Sequence, residues 1–115
     1  QRLLGDAKKK VLALATNYRP ARPVEKIPAP GRDIAASIKS QLWNMKMGNF
    51  ITEYEETLGA TIADVICGGD VPAGTRVSEQ YLLDLEREGF LKLCGNKKTA
   101  ERIQHMLKKG KPLRN

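Results

Sequence analysis

The sequence predicts an all-α fold of four to five amphipathic helices with a proline-rich extended connector. Three features predict it. Apolar residues recur at steps of three and four in five separate windows. No stretch shows the strict alternation of a half-buried strand. Aromatic residues are only 5% of the chain, low for a sandwich or barrel. The 115 residues, 41% apolar and 29% charged, read as a single globular helical domain spanning residues 1–115. A chain of this size buries roughly two-thirds of its unfolded surface, so a core is expected without staples.

The first helix is expected over Leu3 to Asn17, where Leu4, Ala7, Val11, Leu14, Ala15 and Tyr18 share one stripe and Lys8, Lys9 and Lys10 the polar side. From Tyr18 to Gly31 the chain holds four of its six prolines. Proline lacks the amide that helices and ladders need and pushes its predecessor into extended backbone. Residues 18–31 are therefore expected as a connector crossing the surface, not as a strand. The second helix should run from Arg32 or Asp33 to Met47, with Ile34, Ile38, Leu42 and Met45 forming one stripe, flanked by Ala35, Trp43 and Met47, and Gly48-Asn49 ending it.

Thr52-Glu-Tyr-Glu55 has the spacing of a capping box and starts the third helix. Tyr54, Leu58, Ile62 and Val65 mark its buried face, and Gly59, Ala60 and Ala63 allow close approach of a neighbour. Cys67-Gly-Gly-Asp70 stops it. The fourth helix has Ser78 as N-cap, with Val77 and Leu82 at the positions of a hydrophobic staple. Leu82, Leu85, Phe90 and Leu93 are expected inward. Asp84 with Arg87 and Glu88 with Lys92 have the spacing of surface ion pairs. Gly89, inside the helix, costs about 1 kcal/mol against alanine, so something is expected to pack close there. A fifth helix should span Lys98 to Lys109, closed by Gly110 and by Pro112, which forbids continuation.

The net charge of +7 is uneven. Residues 1–50 hold ten bases and three acids, 51–95 three bases and nine acids, and 96–115 seven bases and one acid. Basic ends of this kind attract phosphate. Arg102, Lys108, Lys109, Lys111 and Arg114 form the densest group, around the end of the fifth helix; lysines there also relieve the negative end of the helix dipole.

Other chemistry finds little support. Cys67 and Cys94 are 27 positions apart and His105 is the single histidine, so no zinc spacing exists and no metal is expected. Both cysteines read as reduced, structural residues, which fits a cytoplasmic chain. Glu53, Glu55 and Glu56 sit in a first helical turn, where carboxylates favour the positive helix end. Gly68-Gly-Asp-Val-Pro-Ala-Gly74 lacks the preceding strand and following Lys-Ser/Thr of a phosphate-binding loop. No apolar run nears the roughly 20 residues that span a membrane, and no leader is visible. The start at Gln1 rather than Met leads us to expect a piece of a longer polypeptide.

The most specific signal is a resemblance. Tyr81-Leu-Leu-Asp-Leu-Glu-Arg-Glu-Gly-Phe90, followed by Lys98-Thr-Ala-Glu-Arg-Ile-Gln-His-Met-Leu-Lys-Lys-Gly-Lys-Pro112, resembles the end of a crotonase-family protein. With Cys67-Gly-Gly-Asp-Val-Pro-Ala-Gly-Thr75 and Gly110-Lys-Pro-Leu-Arg-Asn115, the chain is similar to large bacterial 3-hydroxyacyl-CoA dehydrogenases that end in an enoyl-CoA hydratase-like region. The match covers essentially the whole chain and is strongest from Gly48 to Asn115, which makes Asn115 the expected natural terminus.

The resemblance implies the C-terminal helical fragment of a larger multidomain enzyme of fatty-acid β-oxidation. The parent would use NAD, take an acyl-CoA thioester as substrate and form a homo-oligomer. The helical piece would cover the acyl-CoA site and make contacts with the rest of the polypeptide and with other subunits. The family's oxyanion-binding amides, glutamates and Gly-x-Gly-x-x-Gly turn have no counterpart here, so no catalytic residue is expected in this chain. In the family the last helix offers an aromatic residue and a lysine to the adenine and phosphate end of CoA. The matching positions are Met106 and Lys109, with Lys108 and Lys111 able to share the charge. Methionine in place of the aromatic keeps apolar contact and loses stacking.

Two rivals stand beside this reading. A small basic helical nucleic-acid-binding module would use the +7 charge, but the acidic middle interrupts any stripe and no helix-turn-helix presents a readable face, so no nucleic-acid partner is expected. A pure oligomerisation module would use the apolar faces alone.

Overall fold

Five helices carry 63% of the residues, and the fold is all-α. The structure, a computed structural model, describes every residue from Gln1 to Asn115. The elements are α1 (Arg2–Ala15), β1 (Ile27–Pro28), α2 (Arg32–Met47), α3 (Glu53–Ile66), β2 (Arg76–Val77), α4 (Glu79–Cys94) and α5 (Lys97–Lys109). No helix is long and apolar enough to cross a membrane.

The local signals resolve largely as expected. Thr52 and Glu55 form the complete capping box, the Thr52 hydroxyl accepting from the Glu55 amide and the Glu55 carboxylate from the Thr52 amide. Ser78 accepts from the Tyr81 amide and starts α4. Asn49 is left-handed after α2, and Gly110 is left-handed after α5. Gly89 lies against α3: a Cβ there would stand 3.2 Å from the Thr61 methyl and 3.3 Å from a Val65 methyl. Gly59 lies closer still to Leu42 of α2, whose nearest methyl would stand 2.8 Å from an added Cβ. Small residues at the two crossings thus let α2 and α4 approach α3 from opposite sides.

The connector departs from expectation. Ile27 and Pro28 pair with Val77 and Arg76 in a two-stranded antiparallel sheet. Proline is tolerated because the ribbon is so short that its missing amide lies at an edge. The pairing continues on both sides. Ala29 donates to the Thr75 carbonyl and accepts from Gly74, while Glu79 donates to the Val24 carbonyl. Gly31 and Arg32 then donate to Cys67 and Val71, which seats the start of α2 in the loop that ends α3.

The expectation of a self-sufficient core is corrected. Only ten of 115 residues are buried, and the apolar ones are mostly small: Ala29, Ala35, Tyr54, Ala63, Cys67 and Val77. Phe90 is 57% exposed and Ile62 50%, although their spacing placed them inward. Every residue from Gln1 to Lys26 is exposed, the apolar stripe of α1 included. The Cα radius of gyration is 20.0 Å, against about 13 Å for a compact chain of this length. The physical reason lies in the packing order. α2 packs on α3, α3 on α4 and α4 on α5, in one layer. A helix layer hides its apolar stripes only when a second layer covers them.

That layer has two unlike sides. One carries ion pairs, Lys39 with Asp64 and Lys46 with Glu56. The other is an apolar groove of about 430 Å³ between α3 and α4, lined by Leu58, Ile62, Val65, Ile66, Phe90 and Leu93 among others. The surface pairs expected along α4 do not form; Asp84 instead accepts from Gln80. The cysteines are free, as expected, but only Cys67 is a buried structural residue and Cys94 is exposed.

Gly31 tests how tightly the connector is seated. Its φ is +91°, and a Cβ would fall 2.5 Å from the Ala73 backbone nitrogen. Gly31→Ala should destabilise the fold by about 2–4 kcal/mol, combining backbone strain with a clash that no side-chain rotation relieves. Gly74 has a similar φ of +82° and open space around it. Gly74→Ala should therefore cost only about 1 kcal/mol. Urea midpoints of the two variants check the ordering.

Candidate functional site

The basic end of α5 and the contacts beneath it form the site the sequence points to. α5 begins with the Asn96 side chain accepting from the Lys98 amide and ends where the Gly110 amide donates to the Met106 carbonyl. Met106 and Lys109 are three positions apart, which makes them neighbours on the helix surface. Both are exposed, as are Lys108 and Lys111, and Met106 retains 46% of its surface. None of the three lysines forms an ion pair, and no cavity encloses them. The structure thus presents Met106, Lys108, Lys109 and Lys111 as an open surface rather than a pocket.

The expected five-residue basic group divides in two. Arg102 and Arg114 are not left unpaired like the lysines; both turn onto Glu55 at the start of α3. Glu55 Oε1 accepts from Arg114 Nε at 2.9 Å and from Arg102 at 3.2 Å. Glu55 Oε2 accepts from Arg114 at 3.0 Å and from the Thr52 amide at 3.1 Å. Arg114 also donates to the Phe50 carbonyl. The Arg102 guanidinium lies 4.9 Å above the Tyr54 ring, a cation–π contact. Below it the Tyr54 hydroxyl is hydrogen-bonded to Thr99, the one buried residue of α5.

Asn115 completes the cluster from the other side. Its Oδ1 accepts from Arg102 Nε at 2.7 Å, and its Nδ2 donates to the Lys98 carbonyl and to Glu101. Sequence spacing could not find this cluster, because its members come from residues 50 to 55, 98 to 102 and 114 to 115. The legible part was the capping box, which places the Glu55 carboxylate at a helix start without naming its partners.

The electrostatics follow from that geometry. The Arg114 guanidinium, then the Thr52 amide and Arg102, hold the Glu55 carboxyl down to about 2. The same pair pushes Arg114 up from its ordinary value. On the far side of the molecule, Arg32 beside Asp70 lowers that carboxyl too. No group of three or more metal-ligating side chains is present. A dinucleotide does not fit these residues either: the only sheet is a two-residue antiparallel ribbon, not the parallel strand-helix-strand unit that cradles a pyrophosphate.

Comparison with known proteins gives one relative of high similarity. The chain is 47% identical, across 98% of its length, to the protein named "Probable 3-hydroxyacyl-CoA dehydrogenase" of Bacillus subtilis (strain 168). The chain spans 14% of that relative's length. No family model matches the chain, and no solved structure matches it.

Glu55 makes a pH prediction with a defined sign. Its carboxyl titrates at about 2 in the folded chain against an ordinary 4.5. The stability it contributes is therefore present above the ordinary value and is lost as pH falls toward 2. Glu55→Gln should lower the urea midpoint at pH 7, and the gap between the variant and the parent chain should close between pH 5 and pH 2. A gap independent of pH would contradict the assignment.

Proposed function

We propose that this chain is the C-terminal helical part of a 3-hydroxyacyl-CoA dehydrogenase with an enoyl-CoA hydratase-like region, a multidomain enzyme of fatty-acid β-oxidation. The observation that carries the reading is the 47% identity to the Bacillus relative across almost the whole chain. In this reading the 115 residues are one helical domain that works as part of the larger polypeptide, in the cytoplasm.

The single helix layer fits that role. Leu3, Leu4, Val11 and Leu14 of α1, and Ile62, Ile66 and Phe90 beside the groove, leave large apolar areas facing solvent. Soluble monomers rarely expose contiguous patches of this kind. The rest of the parent supplies the second layer, and some of this surface serves contacts between subunits of a homo-oligomer. The helices then form a wall over the acyl-CoA site.

The free lysines fit the ligand. CoA ends in a nucleotide with several phosphate charges, and lysine meets phosphate as a point charge. Lys109 approaches a phosphate, Lys108 and Lys111 raise the local positive potential, and Met106 lies against the adenine. NAD, which carries the hydride in a dehydrogenase of this class, binds elsewhere in the parent. The chain's own residues bind and orient the thioester's nucleotide end and move no proton in the reaction. The nucleic-acid reading loses ground because two of the five clustered cations are held by Glu55 and are not offered to a phosphate backbone.

Lys109→Ala in the full-length enzyme should raise KM for acyl-CoA about tenfold, the equivalent of one lost charge-assisted hydrogen bond. The effect should shrink in high salt, which screens exposed charges. The same substitution should leave the acyl-pantetheine substrate, which lacks the nucleotide, unaffected. An equal effect on both substrates, or none on either, would contradict the phosphate role.

A further inference from the structure

We propose that Arg114 and Asn115 form a latch that fixes α5 on α3, and that they are positioning residues for the nucleotide end of an acyl-CoA, acting through Met106 and Lys109. The inference rests on the CoA reading above and adds what holds the binding helix still.

Helix α5 has few anchors of its own. Thr99 is its one buried residue, and Ile103, Met106 and Leu107 are 45%, 46% and 81% exposed. Apolar packing therefore contributes little to its orientation. Polar contacts replace it: Thr99 and Arg102 reach Tyr54 and Glu55 directly, and two consecutive residues brace them from the tail. Arg114 grips the α3 side through Glu55 and the Phe50 carbonyl. Asn115 grips the α5 side through Lys98, Glu101 and Arg102. Arg102 joins the halves by donating to both Asn115 and Glu55. The left-handed turn at Gly110 lets the chain double back so that residues 114 and 115 reach the first turns of the helix they follow.

The lever arm makes the latch matter for binding. Lys109 lies ten residues past Thr99 on α5, about 15 Å along the axis. A tilt of about 10° at the Thr99 anchor moves the helix end by roughly 2–3 Å, enough to break a hydrogen bond to a phosphate. The capping box pre-sets the counterpart. Glu55 is already fixed by the Thr52 amide, so Arg114 meets a carboxylate that does not have to be ordered first.

Hydrogen–deuterium exchange and steady-state kinetics on the full-length protein test this together. Arg114→Ala and Asn115→Ala should each speed amide exchange across Lys97–Lys109 about tenfold while α2 keeps its protection. Each should raise KM for acyl-CoA more than it lowers kcat, and change KM for acyl-pantetheine little. Arg114→Lys keeps the charge without the two-pronged fork; it should fall between, and it serves where an alanine variant does not fold. Unchanged exchange across α5 would overturn the latch. Faster exchange with equal KM changes for both substrates would overturn the positioning role. If Lys109→Ala leaves KM for acyl-CoA unchanged while the latch variants loosen α5, the CoA reading itself falls and a purely mechanical clamp remains.

Discussion

One carboxylate ties the start of α3 to α5 and to the C-terminal tail. Glu55 starts α3 by accepting from the Thr52 amide and accepts from the side chains of Arg102 and Arg114 as well. A carboxylate can take four donors, and here all four places are used. Charge-assisted bonds to a preordered acceptor are the strong kind, because the ordering entropy of the acceptor is already spent on the helix cap. The low carboxyl pKa has the same origin. Without this node α5 would keep only its packing on α4 and the contacts of Tyr54 with Thr99 and Arg102.

The remainder of the fold is held by close approach rather than by a deep core. Gly59 and Gly89 remove side chains where α2 and α4 cross α3. The connector is stitched in by backbone bonds from Val24 to Arg32. These devices fix geometry at short range while leaving large apolar side chains on the surface. An apolar face left open in this way is stabilised only when a second apolar face meets it.

The basic residues show a division of labour that charge alone conceals. Lys39, Lys46, Arg32, Arg102 and Arg114 are all committed to carboxylates within the chain. Lys108, Lys109 and Lys111 are not. The two arginines of the C-terminal group take the structural places, where a planar fork can bind two oxygens at once, and the lysines take the open ones. This arrangement holds the helix at its start and leaves its lysines unpaired at its end.

How much was legible follows from the range of each signal. Short-range chemistry was readable. The capping box at Thr52, the Ser78 cap, the stops at Gly110 and after Cys67, and the tight crossing at Gly89 all act within a few residues or through the absence of a side chain. The helix class followed from periodicity, and the resemblance to acyl-CoA enzymes from motifs contiguous in the chain. Periodicity, however, states only that a face is apolar, not that anything covers it, and so it misplaced Ile62 and Phe90 as inward residues. The ribbon between Ile27 and Val77 and the cluster of Glu55, Arg102, Arg114 and Asn115 join residues dozens of positions apart. Only the folded chain could decide them, because a hydrogen bond or ion pair depends on separation in space, and spacing along the sequence fixes that separation only within a single helix or turn.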